Sequence, residues 1–230
     1  MGAILDLIHE HNYRVGPCEV LRYDRARPLI FPKGYLTRLY DLAKASSRRS
    51  PLGCLPDAFC NMQDLSHDAV TAYLATRNPL LVFAVWTSPS KWVEAGFAYF
   101  SLLKQDGPVR FGFGAYSMFG DWWGKPEITL LATLGLAYFF REYGLSAIYG
   151  ERYATNDRTA RFMRQFGFRD AGTLSRYFVR DGQPVANTVS ECLVEDFERA
   201  AEQVLTKLVG EGGSGEGENG QGRQGVVVKP

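Results

Sequence analysis

The spacing of apolar residues changes several times along this chain, and each change marks an element. Over residues 35–45 they recur at helical spacing, with Leu36, Leu39, Tyr40 and Ala43 on one face. Ser66 or Asp64 can cap a second helix over 70–76, which Asn78-Pro79 stops. Residues 80–86 then form a short continuous apolar run, the mark of a buried strand. Residues 92–103 alternate and are rich in aromatics, Gln105-Asp106-Gly107-Pro108 is a turn, and 109–119 resume as a strand carrying Gly112 and Gly114. These three strands predict an antiparallel meander.

A helical pattern returns over 128–143, with Gly144 at the usual stop position. A strand is expected over 146–153. A helix over 157–166 follows, with Asn156 as its cap. Residues 171–179 and 185–194 read as a hairpin around Asp181-Gly182, a strong turn dipeptide. A last helix over 194–209 places Phe197, Ala201, Val204, Leu205 and Leu208 on one stripe. Residues 1–34, with Pro17, Pro28 and Pro32, read as an irregular extension, and 46–60 as a polar loop. The glycine-rich segment that follows is too polar to offset the entropy of ordering, so 210–230 is expected to be a disordered tail. One domain over 35–209 is the resulting organisation.

Composition narrows the function. The 230 residues are 46% hydrophobic, enough for a sizeable core. A formal charge of +1, from 26 basic and 25 acidic side chains, argues against a nucleic-acid or anionic-membrane partner. Cys18, Cys54, Cys60 and Cys192 form no Cys-x-x-Cys pair and read as reduced thiols of a cytoplasmic protein. The first ten residues lack a basic start, so no signal peptide is expected, and the apolar run 128–140 is too short to span a bilayer.

Two motifs carry chemistry. Gly120-Asp121-Trp122-Trp123-Gly124-Lys125 is a turn that opens a long helix, where free N–H groups and the helix dipole favour phosphate. It can equally be an ordinary turn. Asn156-x-x-Thr159-x-Arg161, followed by Gly167-Phe168, sits at the start of the next helix. Taken alone it is also what a capped surface helix with a basic face looks like. The pair, in this order, resembles the GNAT superfamily of acyl-CoA N-acyltransferases, and within it the branch of the ribosomal-protein N-terminal acetyltransferases. The resemblance covers residues 64–195.

The resemblance implies an α/β (α+β) fold with a mixed, mostly antiparallel central sheet flanked by helices. It implies acetyl-CoA as acyl donor and direct attack by an amine in a ternary complex. A small-molecule amine or a protein N-terminus would be the acceptor, with a homodimer admitted. The cofactor would be held by Ser117, Met118, Phe119, Trp122, Trp123, Gly124, Lys125, Glu127, Ile128, Asn156, Thr159 and Arg161. Two positions depart from the family pattern. Asp121 adds a negative charge, and Pro126 lacks an N–H. They leave open a CoA-binding or interaction module without catalysis.

For the base, Glu151 is the first candidate, on the strand facing the cofactor, ahead of Glu94 and Glu127; a carboxylate paired with an arginine is the competing reading. Arg110 stands where the related branch often has an acid, and Met163 where many members have a tyrosine acid. Tyr116 or Tyr153 can return the proton, or be core aromatics. Trp122 and Trp123 either line the acyl pocket or pack under the helix. No metal site is expected, His9-Glu10-His11 lacking a supporting helical pattern.

Overall fold

The structure, a computed structural model, describes residues 3–23, 30–48, 66–77, 79–180 and 183–211. In chain order these form α1 (Ala3–Glu10), β1 (Arg14–Val15), β2 (Cys18–Arg22), α2 (Tyr35–Arg48), α3 (His67–Ala75), β3 (Leu80–Ser88), β4 (Lys91–Asp106) and β5 (Val109–Met118). A 3-10 turn (Gly120–Trp122) leads into α4 (Pro126–Tyr143). Then come β6 (Ala147–Tyr153), α5 (Asp157–Arg164), β7 (Arg169–Arg180), β8 (Gln183–Leu193) and α6 (Val194–Glu211).

The strands make one eight-stranded sheet in the order β1-β2-β3-β4-β5-β6-β8-β7. Every neighbouring pair is antiparallel except β5 and β6, which run parallel because α4 crosses over between them. Local signals set the helices. Ser66 Oγ accepts the Ala69 N–H at 3.3 Å to start α3. Pro126 opens α4, and Gly144, at φ 56°, closes it in a left-handed conformation that costs a glycine little.

The alternation of β3 decides the two faces. Leu81, Phe83 and Val85 join a core built with α1, α4, α5 and α6. Leu80 and Val82 join a second core with α2 and α3. That second core draws on β2 to β5 and takes no residue from β6, β7 or β8. The sheet is thus covered on both sides in one half and on one side in the other, among the described residues.

The expected meander, the buried α4, the β6 strand and the β7–β8 hairpin are all present. The reading of residues 1–34 as irregular is corrected. The segment contains α1, β1 and β2, and β2 pairs with β3 along its whole length, Cys18↔Val85 to Arg22↔Leu81. This pairing is made between segments far apart in sequence, so no local signal announces it. Two helices outrun their expected ends: α2 reaches Arg48, into the expected polar loop, and α6 reaches Glu211. Asp64, Asn78, Cys54, Cys60, the Asp181-Gly182 turn, residues 49–60 and residues 212–230 lie outside the described residues.

Candidate active site

The site is built from the one parallel pair in the sheet. β5 and β6 pair at Phe111↔Ala147, Gly112↔Ile148 and Phe113↔Tyr149 and then part. Beyond that point Gly114–Met118 and Gly150–Tyr153 form two walls of a gap. Phe119 N–H donates to Ala95 O at 2.9 Å on the β4 side. By alternation the N–H of Ser117 also faces β4, and that of Met118 faces the gap. On the other wall, Ala154 N–H donates to Ala186 O at 2.9 Å on the β8 side, so the Glu151 peptide faces the gap. Of Ser117, Met118 and Phe119, Met118 is therefore the residue whose N–H faces the gap.

Both strands end at the same edge, and each is followed there by a helix N-terminus. At α4 the turn is tightly self-bonded. Trp122 N–H donates to Phe119 O (3.0 Å), Trp123 N–H to Gly120 O (3.2 Å), Lys125 N–H to Trp122 O (3.1 Å) and Ile128 N–H to Lys125 O (3.2 Å). Pro126 has no N–H to give. The broad cradle expected over 122–128 narrows to the Gly124 and Glu127 N–H groups. Gly124 adopts φ 80°, and a Cβ placed there would meet nothing within 4 Å, so its backbone is open to close approach.

The tryptophans hold this turn. Trp122 Nε1 donates to Glu94 O (3.2 Å) and Trp123 Nε1 to Met118 O (2.9 Å). Each also carries a cation on its ring: Lys125 Nζ lies 4.3 Å from the Trp122 centroid and the Arg158 guanidinium 4.2 Å from that of Trp123. Arg158 is a residue the sequence did not single out. Its stack on Trp123 joins the start of α5 to the turn before α4, which only tertiary contact reveals.

At α5, Asn156 Oδ1 accepts the Thr159 N–H at 3.1 Å, as the sequence predicts for a cap. Thr159 is half-buried and Arg161 exposed on the same helix. Met163 is buried in the first core, where its Cε would lie 2.9 Å from a Cβ at Gly150. Tyr116, on the β5 wall, packs its ring 6.1 Å from Phe162 of α5.

The carboxylates separate cleanly. Glu94 is buried and bound to Arg38 Nη2 at 2.9 Å. Glu127 sits in the first turn of α4, on the β2 side, where its carbonyl accepts from Cys18 Sγ at 3.9 Å. Arg110 caps the end of α4, donating to Tyr143 O (2.9 Å) and to Gln105 Oε1 (2.8 Å). Glu151 is half-buried and has no ion pair among the described residues. Burial pushes its carboxyl above the ordinary range, and the nearby Asn187 and Tyr177 side chains, which favour the charged form, offset part of that. Asn187 is itself fully buried, and neither its Nδ2 nor its Oδ1 completes a hydrogen bond. It is the second residue that the sequence did not point to. Tyr153 faces it directly across β6 and β8 and is buried, as is Ser117 with its Oγ unpartnered on the other wall.

The reverse side of β6 carries no such opening. Arg152 is buried there against Asp170 Oδ2 at 2.8 Å, and Ser190 Oγ donates to Asp170 Oδ1 at 2.9 Å. Burial works against the Asp170 charge, but these bonds and the Arg152 and Arg164 charges prevail and lower its pKa.

No family model matches the sequence, and no curated protein matches it. Solved structures do. An acetyltransferase of the GNAT family from Bacillus anthracis superposes with a TM-score of 0.55 at 11% identity, covering 79% of this chain and 98% of that one. A protein from Salmonella typhimurium assigned as an acetyltransferase, solved with its cofactor acetyl-CoA, gives 0.54 at 16% identity over 78% and 95%. A ribosomal-protein-S5-alanine acetyltransferase from Vibrio fischeri gives 0.52 at 14% identity over 80% and 97%. The sheet order, the parted parallel strands and these superpositions together establish that the chain has the fold of the GNAT acetyltransferases.

Proposed function

We propose that this chain is an acetyl-CoA-dependent N-acetyltransferase that acts by direct attack of a primary amine, in the cytoplasm. The observation that carries the reading is the parting of β5 and β6 at an edge where two helices begin. A gap between strands exposes peptide edges that an amide-bearing chain can pair with, and helix N-termini favour an anion.

The residues present fit the acyl donor. Gly124 and Glu127 N–H groups, Lys125 and Arg158 supply the positive edge for phosphates. Met118 and Glu151 turn peptide groups into the gap, and Asn156, with its Oδ1 used in capping, keeps Nδ2 for a ligand amide. When bound, the thioester supplies an activated acyl group. Glu151 takes the proton from the bound ammonium and so frees the amine that attacks, and a raised carboxylate pKa brings its basicity nearer to neutral pH. The Met118 N–H, which faces the gap, is the donor assigned to the oxyanion in this reading. Tyr116 and Tyr153 line the same walls and are the candidates to return a proton. A ternary complex needs no covalent acyl-enzyme.

The rival reading, a binding module without catalysis, is favoured by the four N–H groups already committed within the turn. Mass spectrometry of the purified protein and calorimetric titration with acetyl-CoA separate the two. The proposal expects heat on titration and acetyl transfer to a panel of primary amines. Binding without transfer to any amine supports a CoA-binding module, and no binding at all removes acetyl transfer and leaves the interaction module as the better reading.

A further inference from the structure

Asn187 is out of place for a structural residue. A strand position of zero exposure, facing Tyr153 and Leu174 across its neighbours, suits valine. An amide there with neither end bonded costs about 1–3 kcal/mol. Such a cost persists where a ligand removes it. The neighbours say which ligand. Glu151 lies diagonally from Asn187 on the same face, since Tyr153 pairs with Asn187 and Glu151 precedes it by one full alternation. Tyr177 approaches the same carboxyl from β7. Ser117, 2% exposed, offers a second unpartnered buried oxygen from the β5 wall.

We infer that Glu151, Asn187 and Tyr177 form a cradle for a primary ammonium group, with Asn187 as the residue that orients it. This rests on the acyl-transfer reading for its chemistry, although the cradle itself is a binding site. An ammonium has three N–H donors and no acceptor, so it needs oxygens converging from different sides. The Glu151 carboxylate, Asn187 Oδ1 and the Tyr177 hydroxyl oxygen supply them. The amide's other end, Nδ2, is then turned to the Glu151 carboxylate, which it holds in its charged form.

The surroundings limit the amine to one positive charge and an apolar or aromatic body. The other carboxylate on this side of the strands, Glu191, is already taken by Arg169 at 3.1 Å and by the Tyr149 hydroxyl at 2.9 Å. The other titratable groups on this face beside Glu151, among the described residues, are phenols: Tyr149 and Tyr153 on β6 and Tyr177 on β7. The rim is apolar: Leu174 is 48% and Tyr177 50% exposed, and Phe113 stacks on Tyr149 at 5.3 Å. A polyamine finds one open carboxylate there and bare rings; an arylalkylamine finds a partner for each part.

The test reads the carboxyl directly. Carbon-13 titration of Glu151 is followed in the wild type, Asn187→Val and Tyr177→Phe, with and without 2-phenylethylammonium, and with spermidine as the contrasting probe. The expected result is a Glu151 pKa that rises further in both variants, and 2-phenylethylammonium bound at least about tenfold more tightly by the wild type than by Asn187→Val. The melting temperature of Asn187→Val should hold or rise, since valine suits the site. A Glu151 pKa unmoved in both variants, tighter binding of spermidine, or a lower melting temperature with unchanged binding overturns the cradle. If Asn187→Val does not fold, the half-exposed Tyr177→Phe decides alone. Acetyl-CoA is titrated separately. Its failure to bind while the carboxyl behaves as expected removes acyl transfer and leaves the cradle; the converse removes the cradle alone.

Discussion

The two halves of the sheet follow different rules. From β2 to β5 both faces are packed, and the charge buried there, Glu94, is tied to Arg38. From β6 to β8 one face is packed and the other is not, among the described residues; on that uncovered face Glu191 is paired with Arg169, while Glu151 has no ion pair among the described residues. β6 shows the contrast within a single strand. Arg152 points to the packed side and meets Asp170, while Glu151 points to the other side and meets neutral groups. The packed half ties its buried carboxylate to a cation; the uncovered face leaves one, Glu151, without such a tie among the described residues.

The largest expected effect lies in the packed half. Phe97 is fully buried, stacks on Tyr99 at 6.4 Å and meets Phe119 at 6.1 Å. Phe97→Ala should cost about 3–5 kcal/mol of unfolding free energy in urea titrations. Leu174→Ala, on β7 in the uncovered half and 48% exposed, should cost less than about 1.5 kcal/mol. Equal losses would show that the second face of β6–β8 is covered after all.

Next comes Glu151→Gln. Turnover should fall by roughly 10²-fold, with acetyl-CoA affinity nearly unchanged. Stability should move the other way. Because the folded-state pKa is raised, this carboxyl's contribution is fully present below its unfolded pKa and is lost as pH rises through the folded value. At pH 7 the glutamine variant should therefore melt no lower than the wild type. A lower melting point with unchanged turnover would make Glu151 a structural carboxylate.

Asp170→Asn reverses that sign. Its folded pKa is lowered, so its stabilisation is present above the unfolded pKa and disappears as pH falls through the folded one. Asp170 is partly exposed, and solvent screens it, so the loss at pH 7 should be about 1–3 kcal/mol, chiefly from stranding the buried Arg152. Thermal melts at pH 7 and at pH 3 measure it, and the gap between variant and wild type should close at the lower pH.

Smallest is the effect at the turn. Lys125→Ala should weaken acetyl-CoA by about 2–5-fold, more at low salt than at high salt, by calorimetry. Pro126→Gly should strengthen it if the restored N–H finds a phosphate oxygen, less the cost of a looser turn. No change in either variant would put the anion elsewhere.

The helices and the meander were legible because their signals are local: a stripe, a cap, a Gly-Pro turn. Asn156 and Gly144 were read correctly for the same reason. What escaped depends on register. β2 is a strand because β3 accepts it, and nothing in Cys18-Glu19-Val20-Leu21-Arg22 says so. Asn187 looks like any polar residue in a hairpin until the pairing with Tyr153 places it beside Glu151. Arg158 looks like helix surface until Trp123 arrives from another element. The turn before α4 was legible as a turn, but not its internal bonds, which claim most of the N–H donors that the motif suggests.

The parting of β5 from β6 also sets a rhythm in time. Along β5, the Ser117 and Phe119 amides are locked against β4, while the Met118 amide between them looks into the gap. Deuterium should therefore enter this strand in alternation, quickly at Met118 and slowly at its two neighbours, where an ordinary interior strand exchanges as a block. The Glu151 amide should follow Met118, since it looks into the same gap from the opposite wall. A molecule that fills the gap would silence the fast positions and leave the slow ones as they are. The strand thus carries its own occupancy gauge, readable one amide at a time.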